Sequence, residues 1–242
     1  MKYLLLTVTL LFTTITFSQI QESYSSWNTV LLKYELSPKF YIFNETHFRR
    51  TNFLSNWQQF IERPSLHYSL NNTVEFAAGY SYIKNYQETL DFSENNVWEQ
   101  ITLSHDSGKF SFSHRFRYEQ RFIQQVVSSS NGNFEIDGTN HTNRLRYRIT
   151  TSFPLFNIVE DKKLSGVVFD EIWLNQDKGI VPRSLNQNWF YVGVSYPIFD
   201  NANLDLGYMS AYAPLGGDFY ANNHILQTTF KYTFSQKTES KP

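Results

Sequence analysis

Lys109-Phe110-Ser111-Phe112-Ser113-His114-Arg115-Phe116-Arg117-Tyr118-Glu119-Gln120-Arg121-Phe122 is two patterns interleaved. Phe110, Phe112, Phe116 and Tyr118 fall on one parity, and Ser111, Ser113, Arg115, Arg117, Glu119 and Arg121 on the other. Successive side chains of a β-strand point to opposite faces, so the stretch predicts a strand with an aromatic face and a cationic face.

The same alternation spreads outward. Leu145, Tyr147, Ile149 and Phe153 interleave with Arg144, Arg146, Arg148 and Ser152, and Phe190, Val192, Val194 and Tyr196 with Trp189, Tyr191, Gly193 and Ser195. Eleven segments carry it: 27–36, 39–49, 57–70, 73–86, 97–107, 109–122, 141–153, 164–175, 187–199, 203–213 and 223–234. Most run about 11 to 14 residues, beyond the usual 5–6 and enough for the roughly 9–11 of a tilted membrane strand. Tight links at 37–38, 71–72, 106–108 and 200–202 alternate with longer ones at 88–96, 123–140, 176–186 and 214–222. Asn-Asn and Asp-Ser-Gly suit hairpin turns because Asn and Gly tolerate positive φ. The expectation is an all-β fold, a transmembrane antiparallel up-and-down β-barrel. Bacterial single-chain barrels have even strand numbers, which favours ten strands and allows twelve. Segment 27–36 is then an extra strand, a lumen segment or half of a pair. The Ser-, Asn- and Gly-rich 123–140 link reads as a mobile extracellular loop.

The ends and the composition agree with an envelope protein. Lys2, an uncharged apolar run to Phe17, and Thr16-Phe17-Ser18 before Gln19 form a cleavable secretory signal over residues 1–18, too short for a spanning helix. Residues 19–234 would be the barrel and 235–242 a polar tail. Without Lys2 the chain holds 20 basic against 22 acidic side chains, a net −2, which argues against nucleic-acid binding. Zero Cys excludes disulfides, thiolate chemistry and Cys-ligated zinc. An 18% aromatic content beside a mean hydropathy of −0.43 describes apolar residues spaced singly among polar ones. The last strand carries Leu226, Phe230, Tyr232 and Phe234 on one face, similar to the terminal signal read by the barrel-assembly machinery. These features lead to an expected location in the cell outer membrane, in contact with its lipid.

The chain resembles a family of bacterial proteins designated domain of unknown function 2490. The most specific resemblance is His114-Arg115-Phe116-Arg117-Tyr118-Glu119-Gln120-Arg121, with support from Trp27, Glu45 with Arg49, Arg63-Pro64-x-Leu66-x-Tyr68, Gly79-Tyr80, Arg144-x-Arg146, Glu171 with Asn175, Gly193 and Gly207-Tyr208. Trp189 departs from the pattern, which has Arg there. The resemblance implies an outer-membrane barrel and brings no activity with it.

The candidate site is the ladder of charge on the inward parity. Arg115, Arg117, Arg121, Arg144, Arg146 and Arg148 lie on two sequential strands, with Arg49 and Arg63 added from elsewhere and Glu35, Glu45, Glu75, Glu119 and Glu171 as acidic partners. Small barrels fill with side chains, so paired charges sealing the lumen are the first expectation. An anion-binding or anion-conducting, porin-like lumen for a small anionic solute is the second. That role needs cations in surplus, and this count leaves few. A phospholipase-like enzyme would need Ser113 to pair with His114, yet adjacent strand residues face opposite ways. A soluble periplasmic β-sheet binding protein remains a further alternative. No catalytic set, metal site or cofactor is expected. Trp57, Trp98, Trp173 and Trp189 read most simply as an aromatic belt at the membrane interfaces.

Overall fold

A computed structural model describes residues 19–159, 162–176 and 185–234. The leader expected over 1–18 and the tail expected over 235–242 lie outside the described residues. The strands are β1 (Gln19–Glu35), β2 (Phe40–Thr51), β3 (Asn56–Ser69), β4 (Val74–Asn85), β5 (Phe92–Ser107), β6 (Phe110–Ser128), β7 (Phe134–Val159), β8 (Lys162–Asn175), β9 (Leu185–Phe199), β10 (Ala202–Gly216) and β11 (Phe219–Phe234). Each pairs antiparallel with the next, and β1 closes the barrel against β11.

Eleven strands lie inside the expected range of ten to twelve, and the even count is the part that fails. Every hairpin reverses the chain, so after an odd number of strands the first and last run the same way. Closure is therefore parallel, in register from Gln19↔Phe219 to Tyr34↔Phe234. Segment 27–36 is neither a lumen plug nor half of a hidden pair but the core of this closing strand. One consequence concerns the ends. Gln19 lies at the rim that carries the 52–55, 86–91 and 129–133 links, whereas Phe234 lies at the rim of the shorter 108–109 and 200–201 turns.

The 123–140 segment corrects the expected mobile loop. β6 continues to Ser128 and pairs with β7 from Phe134 onward, through a bulge between Gln124 and Val126. Residues 131–140 are exposed on both faces, so this hairpin rises above the barrel wall. The pairs Val126↔Ile136 and Ser128↔Phe134 continue the ladder where the polar composition suggested a coil.

The barrel is inside out. Phe76, Ile101, Phe116, Val192, Leu206 and Leu226 stand exposed on the outer face, while Glu119, Glu171 and Trp98 have no solvent exposure inside. The outer face also carries Glu62, which accepts from Asn44 (2.6 Å) and Thr46 (2.8 Å), and Asp170, which accepts from Asn188 (3.2 Å). Bulky lumen side chains need small residues beneath them. The Trp98 indole lies on Gly79, its cross-strand partner, where any Cβ would collide with the ring and with the Pro64 carbonyl.

The parallel seam is directly testable because the chain contains no native Cys. Asn28→Cys with Thr228→Cys should form a disulfide under mild oxidation, read as a gel-mobility shift, since the two are register partners on one face. Cross-linking only of Asn28→Cys with Phe230→Cys would move the register by two residues. No cross-link in either pair would remove the seam.

Candidate functional site

The predicted ladder does converge inside the barrel, and its geometry follows from the β6–β7 register. That register places Arg115 opposite Arg148 and Arg117 opposite Arg146. Like charges directly across a sheet are unfavourable, so carboxylates must come from elsewhere. Glu171 on β8 supplies one. It accepts from Arg115 Nη2 (2.6 Å), Arg146 Nε (2.9 Å) and Arg148 Nη2 (2.5 Å). Glu119, opposite Arg144, accepts from Arg144 Nε at 2.7 Å and Arg146 Nη1 at 2.8 Å. Glu45 on β2 reaches across the lumen to Arg117 Nη2 (3.3 Å) and takes Arg63 Nη1 at 3.1 Å. Arg117, Arg146, Glu119 and Glu171 are all at most 3% exposed. Charge-assisted bonds spanning β2, β3, β6, β7 and β8 thus cross the barrel at mid-height.

Two assignments of partners change. Glu75 lies on the inward face but outside this network: it binds His67 Nδ1 (2.9 Å) and the Tyr41 hydroxyl (2.8 Å) nearer the short-turn rim. Glu35 pairs with Lys33 at the same rim. The missing acid is Glu94, which accepts both forks of Arg121, at 2.6 and 2.8 Å. It was hidden because 88–96 reads as a link, whereas β5 begins at Phe92 and gives Glu94 the inward parity.

The tryptophans are the second correction. Trp98, Trp173 and Trp189 are buried in the lumen with Trp27, and of the expected belt only Trp57 stands exposed. They lie under guanidinium groups: Arg146 over Trp173 at 3.7 Å, Arg49 over Trp27 at 3.8 Å and Arg117 over Trp98 at 3.9 Å. A ring face attracts a cation most when both are away from water. The signal was in the sequence, since Trp98, Trp173 and Trp189 share parity with Gln100, Glu171 and Gln187 rather than with the apolar outer residues.

A separate polar chain, unforeseen in the sequence, lies toward the short-turn rim. Ser65 Oγ is 3.1 Å from His67 Nε2, and His67 Nδ1 is 2.9 Å from Glu75. This is the order of a nucleophile, a base and an orienting acid. The Ser65 hydroxyl also donates to the Phe43 carbonyl at 3.1 Å, and both Ser65 and His67 are buried. Ser113 and His114 do not pair: Ser113 faces inward, while His114 bonds the Tyr147 hydroxyl (2.9 Å) on the outer face.

Removing one member of a buried ion network leaves its partners uncompensated, at a cost of about 3–5 kcal/mol. Arg146→Ala should therefore lower stability by that order in equilibrium unfolding. Lys33→Ala, at the half-exposed rim pair, should change it by only about 0–1 kcal/mol. Equal effects from the two would show that the lumen is wet enough to screen its charges.

The family model described as protein of unknown function (DUF2490) matches residues 24–220, which include β2 to β10 and every member of the charge network. Neither the curated proteins nor the solved structures contain a match. With the match covering well over half of its length, the chain belongs to the DUF2490 family.

Proposed function

We propose that this protein is an outer-membrane β-barrel whose lumen is closed by paired charges, with a structural or narrowly selective role and not that of an open pore. The carrying observation is the inverted distribution of polarity: an apolar outer face around a buried, ion-paired interior. A soluble sheet would hide Phe116, Val192 and Leu206, and no second layer covers them among the described residues. Lipid would do so. Glu62 and Asp170 are compatible with that medium because each carboxylate is hydrogen-bonded to a neighbouring strand, and acidic residues are the less costly charges on a barrel's outer face. In this reading the short-turn rim faces the periplasm, the β6–β7 hairpin projects outward, and residues 1–18 direct export. The partners are membrane lipid and, through β11, the assembly machinery.

The mature protein should begin at Gln19 by mass spectrometry, sediment with outer membranes, and shift its gel mobility on boiling. Recovery in the soluble periplasm without detergent would overturn the membrane reading.

One observation favours hydrolysis as a second reading, namely the Ser65–His67–Glu75 chain. An acyl-transfer site also needs room for a substrate carbonyl and donors about 3 Å from its oxygen. Ser65 is 7% exposed and its hydroxyl donates a hydrogen bond to the Phe43 carbonyl, so the chain serves the closed barrel better as an internal tie. A fluorophosphonate probe should leave the folded protein unlabelled. Labelling that disappears in Ser65→Ala would promote the hydrolase.

A further inference from the structure

The charges that close the lumen do not balance. Glu171, Glu119, Glu45 and Glu94 serve seven arginines, and Arg49 makes an eighth with no carboxylate in ion-pair range among the described residues. Within this network eight cations against four anions leave four positive charges in excess, one more than the eight against five of the sequence; Glu75 and Asp205, also on the lumen side, are taken up by His67 and Lys231 nearer the short-turn rim. Aromatic faces steady several of these arginines but carry no net charge to offset them.

The excess is concentrated in one place. A cavity of about 260 Å³ is lined by Arg49, Arg63, Arg115, Arg146 and Arg148, with Glu45 as the carboxylate on its wall. A second cavity of about 460 Å³ lies toward the long-loop rim and shares Trp27, Arg49, Arg63 and Trp189 with the first. Arg49 stands between them. It is 8% exposed, donates from Nη1 to Gln59 at 2.7 Å, and lies near Arg63, Arg144 and Arg146 as well as the Glu45 carboxylate, which partly offsets them. Its Nε is buried with no acceptor, and so are Arg115 Nε and Arg117 Nη1. Two of these three donors, on Arg49 and Arg115, belong to side chains that line the inner cavity.

We propose that the inner cavity binds a small soluble oxyanion of the phosphate or sulfate class, reached through the outer cavity from the long-loop rim. Guanidinium groups present paired N–H donors that match oxyanions better than they match halides. The cavity, about 260 Å³, holds more than one water and lies just below the roughly 300–1,000 Å³ of organic-ligand pockets, so it suits a compact anion. Outer-face lipid is excluded as the source, because the barrel wall stands between. An oxyanion held here offsets the excess charge and fills acceptor positions that the four glutamates leave open. The inference rests on the closed-lumen reading but not on the membrane one.

The test uses purified, folded mature protein and inorganic phosphate, sulfate and chloride, titrated calorimetrically at matched ionic strength. Millimolar concentrations keep general salt effects on burial small. Phosphate or sulfate should bind saturably near one per chain and raise the unfolding temperature, while chloride does neither. Arg49→Gln removes a cation that has no carboxylate partner. It also gives up the Trp27 stacking, so it is compared at a temperature where its melt shows it folded, and there it should bind about tenfold or more weakly. Arg115→Gln is the second variant, because Glu171 keeps Arg146 and Arg148, and it should weaken binding similarly. Arg50→Gln, at the rim and bonded to the Leu54 carbonyl, should leave binding unchanged. Absence of saturable binding, equal binding of chloride, or full affinity in both cavity variants would overturn the proposal. Fractionation decides the membrane reading separately, so either can fail alone.

Discussion

Glu171 has no solvent exposure and holds Arg115, Arg146 and Arg148 at once. The interior is arranged around that demand. β6 and β7 are in a register that sets arginine against arginine twice, and such a pair of strands is self-consistent only if acids arrive from other strands. Glu171 comes from β8, the next strand, and Glu45 from β2, on the far wall. The second contribution makes closure of the barrel part of the electrostatics. Until β2 and β6 face one another across a lumen, Arg117 has no carboxylate.

Tryptophan and glycine complete the filling. An arginine needs a flat surface for the part of its guanidinium plane that forms no hydrogen bonds, and Trp27, Trp98 and Trp173 supply it. Rings of that size fit a narrow barrel only where the wall beneath them has no side chain. Gly79 under Trp98, and the facing Gly193 and Gly207 under Tyr191, provide those gaps. The interior is therefore largely filled, with a cationic and aromatic cavity among the network arginines that shares Trp27, Arg49, Arg63 and Trp189 with a larger cavity toward the long-loop rim. A filled barrel with excess charge in one cavity suits recognition of a small anion more than free passage through it.

Odd strand number has its own consequence. An even barrel returns its chain to the rim where it began; eleven strands do not. β1 and β11 run side by side in one direction, so the ends of the described barrel lie at opposite rims. A parallel ladder is slightly weaker per residue than an antiparallel one. This seam is in register without a break from Gln19 to Tyr34.

The period-two alternation determined most of this protein by itself. It settled the all-β class and the face on which each arginine lies, because parity along an extended chain is a local property. It also placed Glu45, Glu119 and Glu171 inside. The same parity put Trp98, Trp173 and Trp189 inward, but tryptophan's affinity for membrane interfaces suggested the opposite, and composition was the poorer guide. What parity cannot carry is distance. Which acid meets which arginine, and that Glu75 turns to His67 while Glu94 joins the network, depend on strand register and barrel diameter. The direction of closure depends on the count of strands, which one misread link would change. The excess of charge around Arg49 is also tertiary. The chain as a whole is nearly neutral, and only folding gathers eight arginines around four carboxylates that reach seven of them.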